Sequence, residues 1–394
     1  MKYLHTNIET INLVLIFIGF ALFTTFVNSS VGSIVYRGVA LFIGLICIFR
    51  NYKYSSSIFK SKPLRLFLLI YGLFTLKLVY EMYLGEDALT PFKGTRSVLM
   101  LFVFGIGWIP FLGAILSFDK IKQDQCLKML FWGLVIIVGI GILNSGHSTS
   151  EIDGRASLNA RQSTLAFGDN GAYLSIISAA YIFYKKIKSR VFFIIAVIGF
   201  IIGLYGAMIA GSRGPIASAV VGILFVISAA TIRKKFAIVL FVGFLSLFGF
   251  VNLESVKDVA PSLYRRFELT FKKGDMSGRD VLFEEAWEKI NDNLLVGSNP
   301  IILEPTSFSG YHNVYLGTGV ALGLLGFFTF VGLVLYLLIA SFFKRKKINS
   351  LFNLTMLALF WFYACRGITG VGLASNCFFT TILAYSCVIL KRIK

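Results

Sequence analysis

Apolar residues run through this chain in blocks that recur from one end to the other, separated by short polar connections. Twelve such runs, each of roughly 17–30 residues, cover about 8–27, 31–49, 64–84, 97–118, 127–143, 164–184, 191–210, 215–230, 236–252, 313–342, 350–368 and 371–390. At about 1.5 Å of rise per residue, blocks of this length cross a hydrocarbon layer of about 30 Å as helices. The first run is too long for a signal peptide and has no small-residue cleavage site, so it predicts a retained helix. The pattern therefore predicts an all-α polytopic membrane protein with about 12 transmembrane helices. Residues 1–252 supply the first nine, 253–312 form a large polar loop, and 313–394 supply the last three, all within one integrated membrane domain.

The connections alternate in charge. One set, with the chain ends, contains 23 Lys and Arg, including Arg50, Lys53, Lys120, Lys128, Lys185, Arg233, Lys344, Arg345, Lys346, Lys347 and Arg392, against only Glu9, Asp119 and Asp124. The other set contains 14 cations and 16 anions, and Lys77 falls inside the third run. Cytoplasmic loops carry the excess of Lys and Arg. The first set is therefore expected inside with both termini, and 253–312 outside.

Two outer connections are long enough to hold structure. In 253–312, PSLYRRFELTF begins at Pro261, and SGRDVLFEEAWEKINDNLLVG spaces Leu282, Ala286, Trp287, Ile290 and Leu294 as a helical stripe suited to packing on helix ends. Ser277 is placed to cap that helix, Asp280 lies three residues on, and Gly297 is placed to stop it. The shorter connection, 144–163, contains His147, Glu151, Asp153, Arg155 and Arg161.

Composition agrees with the pattern. The chain has 394 residues, of which 57% are hydrophobic and 14% charged, with a mean hydropathy of +0.79. Soluble domains lie near about 45–50% apolar and about 25% charged, so soluble, disordered and fibrous classes are excluded. The net charge of +19 reads as topology plus attraction to anionic membrane lipid, not as a nucleic-acid footprint. Cys47, Cys126, Cys365, Cys377 and Cys387 are odd in number and show no metal-ligand spacing, which supports neither a disulfide framework nor a zinc site.

Candidate chemistry gathers at the outer surface. The short outer connections use arginine: Arg96, Arg155, Arg161, Arg213 and Arg366, with Lys93 the main exception. The planar guanidinium binds phosphate oxygens through two parallel bonds and keeps its charge, so these residues suit a phosphate or pyrophosphate ligand. Each taken alone suits a headgroup anchor equally. Arg213 lies in the tight turn AGSRGP, where Gly211 and Gly214 leave room for close approach and Pro215 starts a helix. Arg279, in SGRD, falls in a first helical turn, whose free amides also favour an anion; a salt bridge to Asp275 is the structural alternative. His312, where the large loop re-enters the membrane, is a general-base candidate oriented by Asn313, or an interfacial histidine satisfied by water or backbone. Lys77 and Glu81 are one turn apart and expected to pair. Asp169 and Asn170 mark the outer start of the sixth run, and Arg37 is read as an interfacial anchor. No acidic cluster stands on an outer loop to hold a divalent cation, so no metal and no cofactor are expected.

The tract SGRDVLFEEAWEKINDNLLVGSNP followed by YHNVYLGTGVALGLLG resembles the signature region of the O-antigen polymerase/O-antigen ligase superfamily, bacterial polytopic glycosyltransferases of GT-C type. GSRGP is similar to the upstream arginine turn, and DGRASLNARQSTLAFGDNGAY to an Arg-plus-Asn stretch. Ser298-Asn299 departs from the second glycine common after Gly297. The resemblance implies an inner-membrane enzyme acting at the periplasmic face on undecaprenyl-pyrophosphate-linked glycan in lipopolysaccharide biosynthesis. It implies Arg213 and Arg279 on the pyrophosphate and His312 as base, with Arg155, Arg161, Asn313 and Asp169 as further binding candidates. It also implies inverting, metal-independent transfer, membrane lipids as surroundings and a chain-length-regulating membrane protein as a partner. Polymerisation of repeat units is the expected reaction and ligation to lipid A–core the alternative. A transporter or flippase is a second alternative, against which no half-to-half repeat is visible.

Overall fold

The computed structural model describes residues 7–26, 29–54, 58–85, 93–144, 149–150, 155–156, 164–184, 189–230, 263–265, 268, 279–303, 308–370, 373 and 377–393. Eleven of the predicted runs fall largely among these residues, and each is helical; the run at 236–252 lies outside them. In chain order the helices are α1 (Ile8–Phe26, through a π turn at Leu15–Gly19), α2 (Ser29–Asn51), α3 (Lys62–Tyr83) and α4 (Thr95–Leu116, with a π segment at Leu101–Trp108). Next come α5 (Gln123–Leu143), α6 (Thr164–Phe183), α7 (Arg190–Ile209) and α8 (Arg213–Ala229). The loop helix α9 (Arg279–Asp292) precedes α10 (Val314–Lys344), α11 (Leu351–Arg366) and α12 (Cys377–Arg392). Among the described residues, seven helices are long and apolar enough to cross a membrane. The protein is an all-α membrane protein.

Capping chemistry sets several boundaries. Asn7, Ser189, Asn313 and Ser350 each accept a bond from an amide in the first turn of α1, α7, α10 and α11, satisfying donors the helix itself cannot. Helix α2 begins at Ser29, so Arg37 lies more than two turns inside it and not at its start.

The core is built on α6, α11 and α12, whose side chains are buried along most of their length, while α2, α3 and α7 turn Phe42, Leu69 and Ile198 outward. Outward apolar side chains cost nothing where the surroundings are lipid. Gly171 and Ser175 of α6 meet Gly203 and Ala207 of α7 so closely that a Cβ added at Gly171 would lie 2.6 Å from the Ala207 nitrogen. Small residues at such contacts let the backbones approach, which is how helices pack without a hydrophobic drive.

The predicted basic connections meet at one end of the bundle. Asn7 donates to the Lys120 carbonyl and Arg392 pairs with Asp119, so the two chain ends lie side by side. Ser350 donates to Gln123 Oε1 at 3.0 Å, and Lys346 Nζ to the Ala230 carbonyl at 2.9 Å. Residues 169, 213, 279, 312 and 366 cluster at the other end. Lys77 and Glu81 form the expected pair at 2.8 Å.

At that second end α9 lies on the start of α10. Ala286 and Ile290 are fully buried against Tyr311, Leu316 and Val320, with Phe283 beside them. The stripe differs from the expected one: Leu282 is half-buried, and Trp287 and Leu294 are exposed. Helix α9 also ends before Gly297, at Asp292. Gly297 instead turns the chain back (φ +69°), and a Cβ there would stand 2.3 Å from the Ala321 carbonyl oxygen. Its counterpart Gly323 (φ +66°) breaks α10, so the tenth run is a short helix to residue 322, a kink and a longer helix. The two segments lock through Leu324 N–H to the Leu294 carbonyl at 2.9 Å and Ser298 N–H to the Val320 carbonyl at 2.6 Å. A short antiparallel hairpin follows, Ile301–Leu303 with Phe308–Gly310, Ile301 opposite Gly310, and it leads directly to His312.

Candidate functional site

Each candidate residue is placed by the end of a helix. Arg213 is the first residue of α8, two positions before Pro215, and the chain reaches it through Gly211 (φ +64°) and the buried Ser212. Ser212 makes no side-chain cap, so the first-turn amides of α8 do not bond to it. Arg279 is the first residue of α9. His312 directly precedes Asn313, the N-cap of α10. Three helix N-termini, each a positive end of a peptide dipole, therefore approach one region.

Arg366 closes the group from below. It is 1% exposed at the end of α11, and its Nε meets Asp169 Oδ1 of α6 at 2.9 Å. The guanidinium also donates to Thr369 Oγ1 at 3.3 Å. Room for it comes from two glycines: a Cβ at Gly214 would lie 3.1 Å from Arg366 Nη1, and one at Gly370 only 2.1 Å. Tyr173 and Tyr363 share a hydrogen bond across the α6–α11 seam. Asp169, a binding candidate in the sequence, thus holds Arg366.

The electrostatics report the proximity. Burial, and then the charges of Arg366 and Arg213, push the Arg279 guanidinium below its usual value. Burial, and then Arg279 and Arg366, likewise lower the His312 imidazole below its usual value. Among the described residues, Arg213, Arg279, Arg366 and His312 thus come together around the Asp169–Arg366 pair, an arrangement that can hold a multiply charged anion. His312 stands in the left-handed region (φ +51°), and among the described residues it is the one non-glycine residue there. It is held by the cap on one side, where Val314 N–H also bonds the Gly367 carbonyl at 2.8 Å, and by buried Tyr311 on the other.

The Asn313 side-chain oxygen accepts from Tyr315 N–H at 3.0 Å and Leu316 N–H at 3.1 Å, so that oxygen caps α10. Arg96 is buried and donates to the Met82 carbonyl at 3.1 Å. Arg155 lies in a two-residue strand paired with Thr149–Ser150. Arg161, His147, Asp275 and Ser277 lie outside the described residues. Arg366 was visible in the sequence as one outer arginine among several; its central position comes from tertiary packing and left no local mark. Among the described residues no group of three His, Cys, Asp or Glu side chains could hold a metal ion.

A cleft of about 600 Å³ opens beside the site. Asn313, Phe283 and Trp287 line its upper part, and Phe327, Val334 and Leu338 of α10 continue it along the bundle toward Trp361. Its lining is almost wholly apolar.

Residues 198–331 match the O-antigen ligase family, while no curated protein matches the chain. The matched interval runs from α7 into α10 and contains Arg213, Arg279 and His312, which the fold then joins to Arg366 and Asp169 from outside it. The match, confined to residues 198–331, is a likeness to the O-antigen ligase family and supports a place in the O-antigen ligase/polymerase superfamily.

Proposed function

We propose that the protein is a glycosyltransferase of the bacterial inner membrane that polymerises undecaprenyl-pyrophosphate-linked oligosaccharide repeats at the periplasmic face. One observation carries the reading: the arginine–histidine cluster lies within and beside the family-matched segment, next to an apolar cleft lined by the neighbouring Asn313 and Cys365. The cluster suits the pyrophosphate and the cleft suits a lipid chain, so a lipid-linked donor fits both at once.

The chemistry follows from the charges. An acceptor sugar hydroxyl attacks the anomeric carbon of the donor, and the carbon–oxygen bond to pyrophosphate breaks with inversion. The leaving oxygen takes the electron pair, and the hydroxyl proton passes to a His312 ring nitrogen. Arg213 and Arg279 stabilise the departing charge, work that preorganised cations perform well in a water-poor site. Arg366, tied to Asp169, fixes the geometry of the group. Arg155 and Arg161 are additional contacts for the glycan or its phosphates, and a chain-length-regulating membrane protein is a fitting partner. Because arginines supply the positive charge, turnover is expected to proceed without a divalent metal.

Ligation to lipid A–core is the second reading, favoured by the description of the matched family as O-antigen ligase. Purified protein given a lipid-linked repeat in EDTA, with and without lipid A–core, tests both. Lipid-linked polymer formed without core supports the polymerase, and glycan appearing only on core supports the ligase. Activity lost in EDTA and restored by magnesium would overturn the metal-free mechanism.

A further inference from the structure

A second cavity, of about 1110 Å³, opens at the opposite, basic end of the bundle. Among the described residues its charged lining is Lys128 of α5 with Arg345, Lys346 and Lys347 after α10, against Asp124 alone. Lys346 is occupied by the Ala230 carbonyl at 2.9 Å, while Arg345 donates Nη1 to the Phe342 carbonyl and stacks on the Phe342 ring, leaving its buried Nε without a hydrogen-bond partner. Ser189 and Ser350, the N-caps of α7 and α11, also line the cavity, so two positive helix ends converge on it. The remaining wall is largely apolar and includes Phe192, Val226 and Leu354.

We infer that this cavity binds the headgroup of an anionic phospholipid from the leaflet at the basic end. The phosphate meets Lys128, Lys347 and Arg345 at the convergent helix ends, and the upper acyl chains lie against the apolar wall. A soluble phosphate compound satisfies the cations but leaves that wall bare, which is why the lipid is preferred. Basic pockets between membrane helices take anionic headgroups by this chemistry. The inference is independent of the transferase reading, because its readout is lipid binding.

Native mass spectrometry of the full-length protein, from mixed phosphatidylglycerol–phosphatidylcholine bilayers, tests it. The wild type is expected to retain phosphatidylglycerol preferentially. Each of Lys128→Ser and Lys347→Ser is expected to weaken retention about 5-fold, and the double variant roughly 25-fold, with thermal unfolding in neutral detergent unchanged. Lys53→Ser, an exposed cation outside the cavity, is expected to leave retention intact. Equal retention of the two lipids, or equal loss from Lys53→Ser, would overturn the site. Protection against thermal unfolding by soluble glycerol phosphate equal to that by phosphatidylglycerol would overturn the lipid assignment.

Discussion

The left-handed backbone at His312 (φ +51°) is one that few side chains adopt without cost, though histidine and asparagine tolerate it better than most. That tolerance selects the informative variant. His312→Asn keeps the backbone and removes the base, and it is expected to lower the transfer rate roughly 10²–10⁴-fold with donor binding kept. The pH profile supplies a second reading. Burial, then Arg279 and Arg366, disfavour the imidazolium, so His312 stays neutral below the ordinary midpoint of about 6.5. The acid limb of kcat/KM is therefore expected below that value. Arg279→Gln removes one repelling charge, makes the imidazolium easier to form and moves the limb upward. A wild-type limb at or above the ordinary value would remove His312 from the role of base. Arg366 and Asp169 invite a different test, since breaking a buried pair by deleting one partner costs about 3–5 kcal/mol. Asp169→Asn and Arg366→Gln are each expected to lower thermal stability by about that amount, and the double variant by less than their sum. Additive losses would show that the pair is not coupled.

At the scale of elements, lipid makes helices legible and local breaks illegible. Runs of apolar residues report spans directly, because every backbone polar group must be satisfied inside the segment. The stretch around Gly323 is as apolar as its flanks, so hydropathy runs straight through the kink. What bends it is the approach of Leu294 from another part of the chain. The loop stripe was displaced for a similar reason: Phe283, Ala286 and Ile290 face the start of α10, a surface the loop sequence alone does not define. Arg213 stood out because its short outer connection leaves few polar residues to choose among, and Arg279 and His312 because they fall in the tract that resembles the superfamily signature. Arg366 could not be ranked above its neighbours without Asp169 opposite. The lock between Gly297 and Gly323 carries its own prediction. An alanine at 323 faces a left-handed φ costing about 1–2 kcal/mol, and its Cβ falls 2.2 Å from the Leu294 carbonyl oxygen. Gly323→Ala is expected to free the loop from α10 and carry Arg279 out of the site. Donor binding should fall with little loss of membrane insertion. Wild-type binding in a stably inserted variant would show that the lock does not position α9.

For the whole molecule, the decisive relation is between charge and side. The two chain ends meet at residues 119–120, at the end where the basic connections gather, and the arginine–histidine site lies at the other. We propose that the Lys and Arg excess turns the basic end toward the cytoplasm and leaves the arginine–histidine site outside. Single-cysteine labelling can test that orientation with little background, because Cys47, Cys126, Cys377 and Cys387 are buried and Cys365 is only partly exposed. Glu284, exposed on α9, and Lys347, exposed beyond α10, report opposite ends. A membrane-impermeant maleimide applied to intact spheroplasts is expected to modify Glu284→Cys and to spare Lys347→Cys until lysis. Neither position belongs to the arginine–histidine cluster, so transfer activity can be checked in the same Glu284 preparation. The reverse labelling pattern would place the site at the cytoplasmic face. An acceptor glycan already carried across the membrane could then not reach it, and the polymerase and ligase readings would fall together.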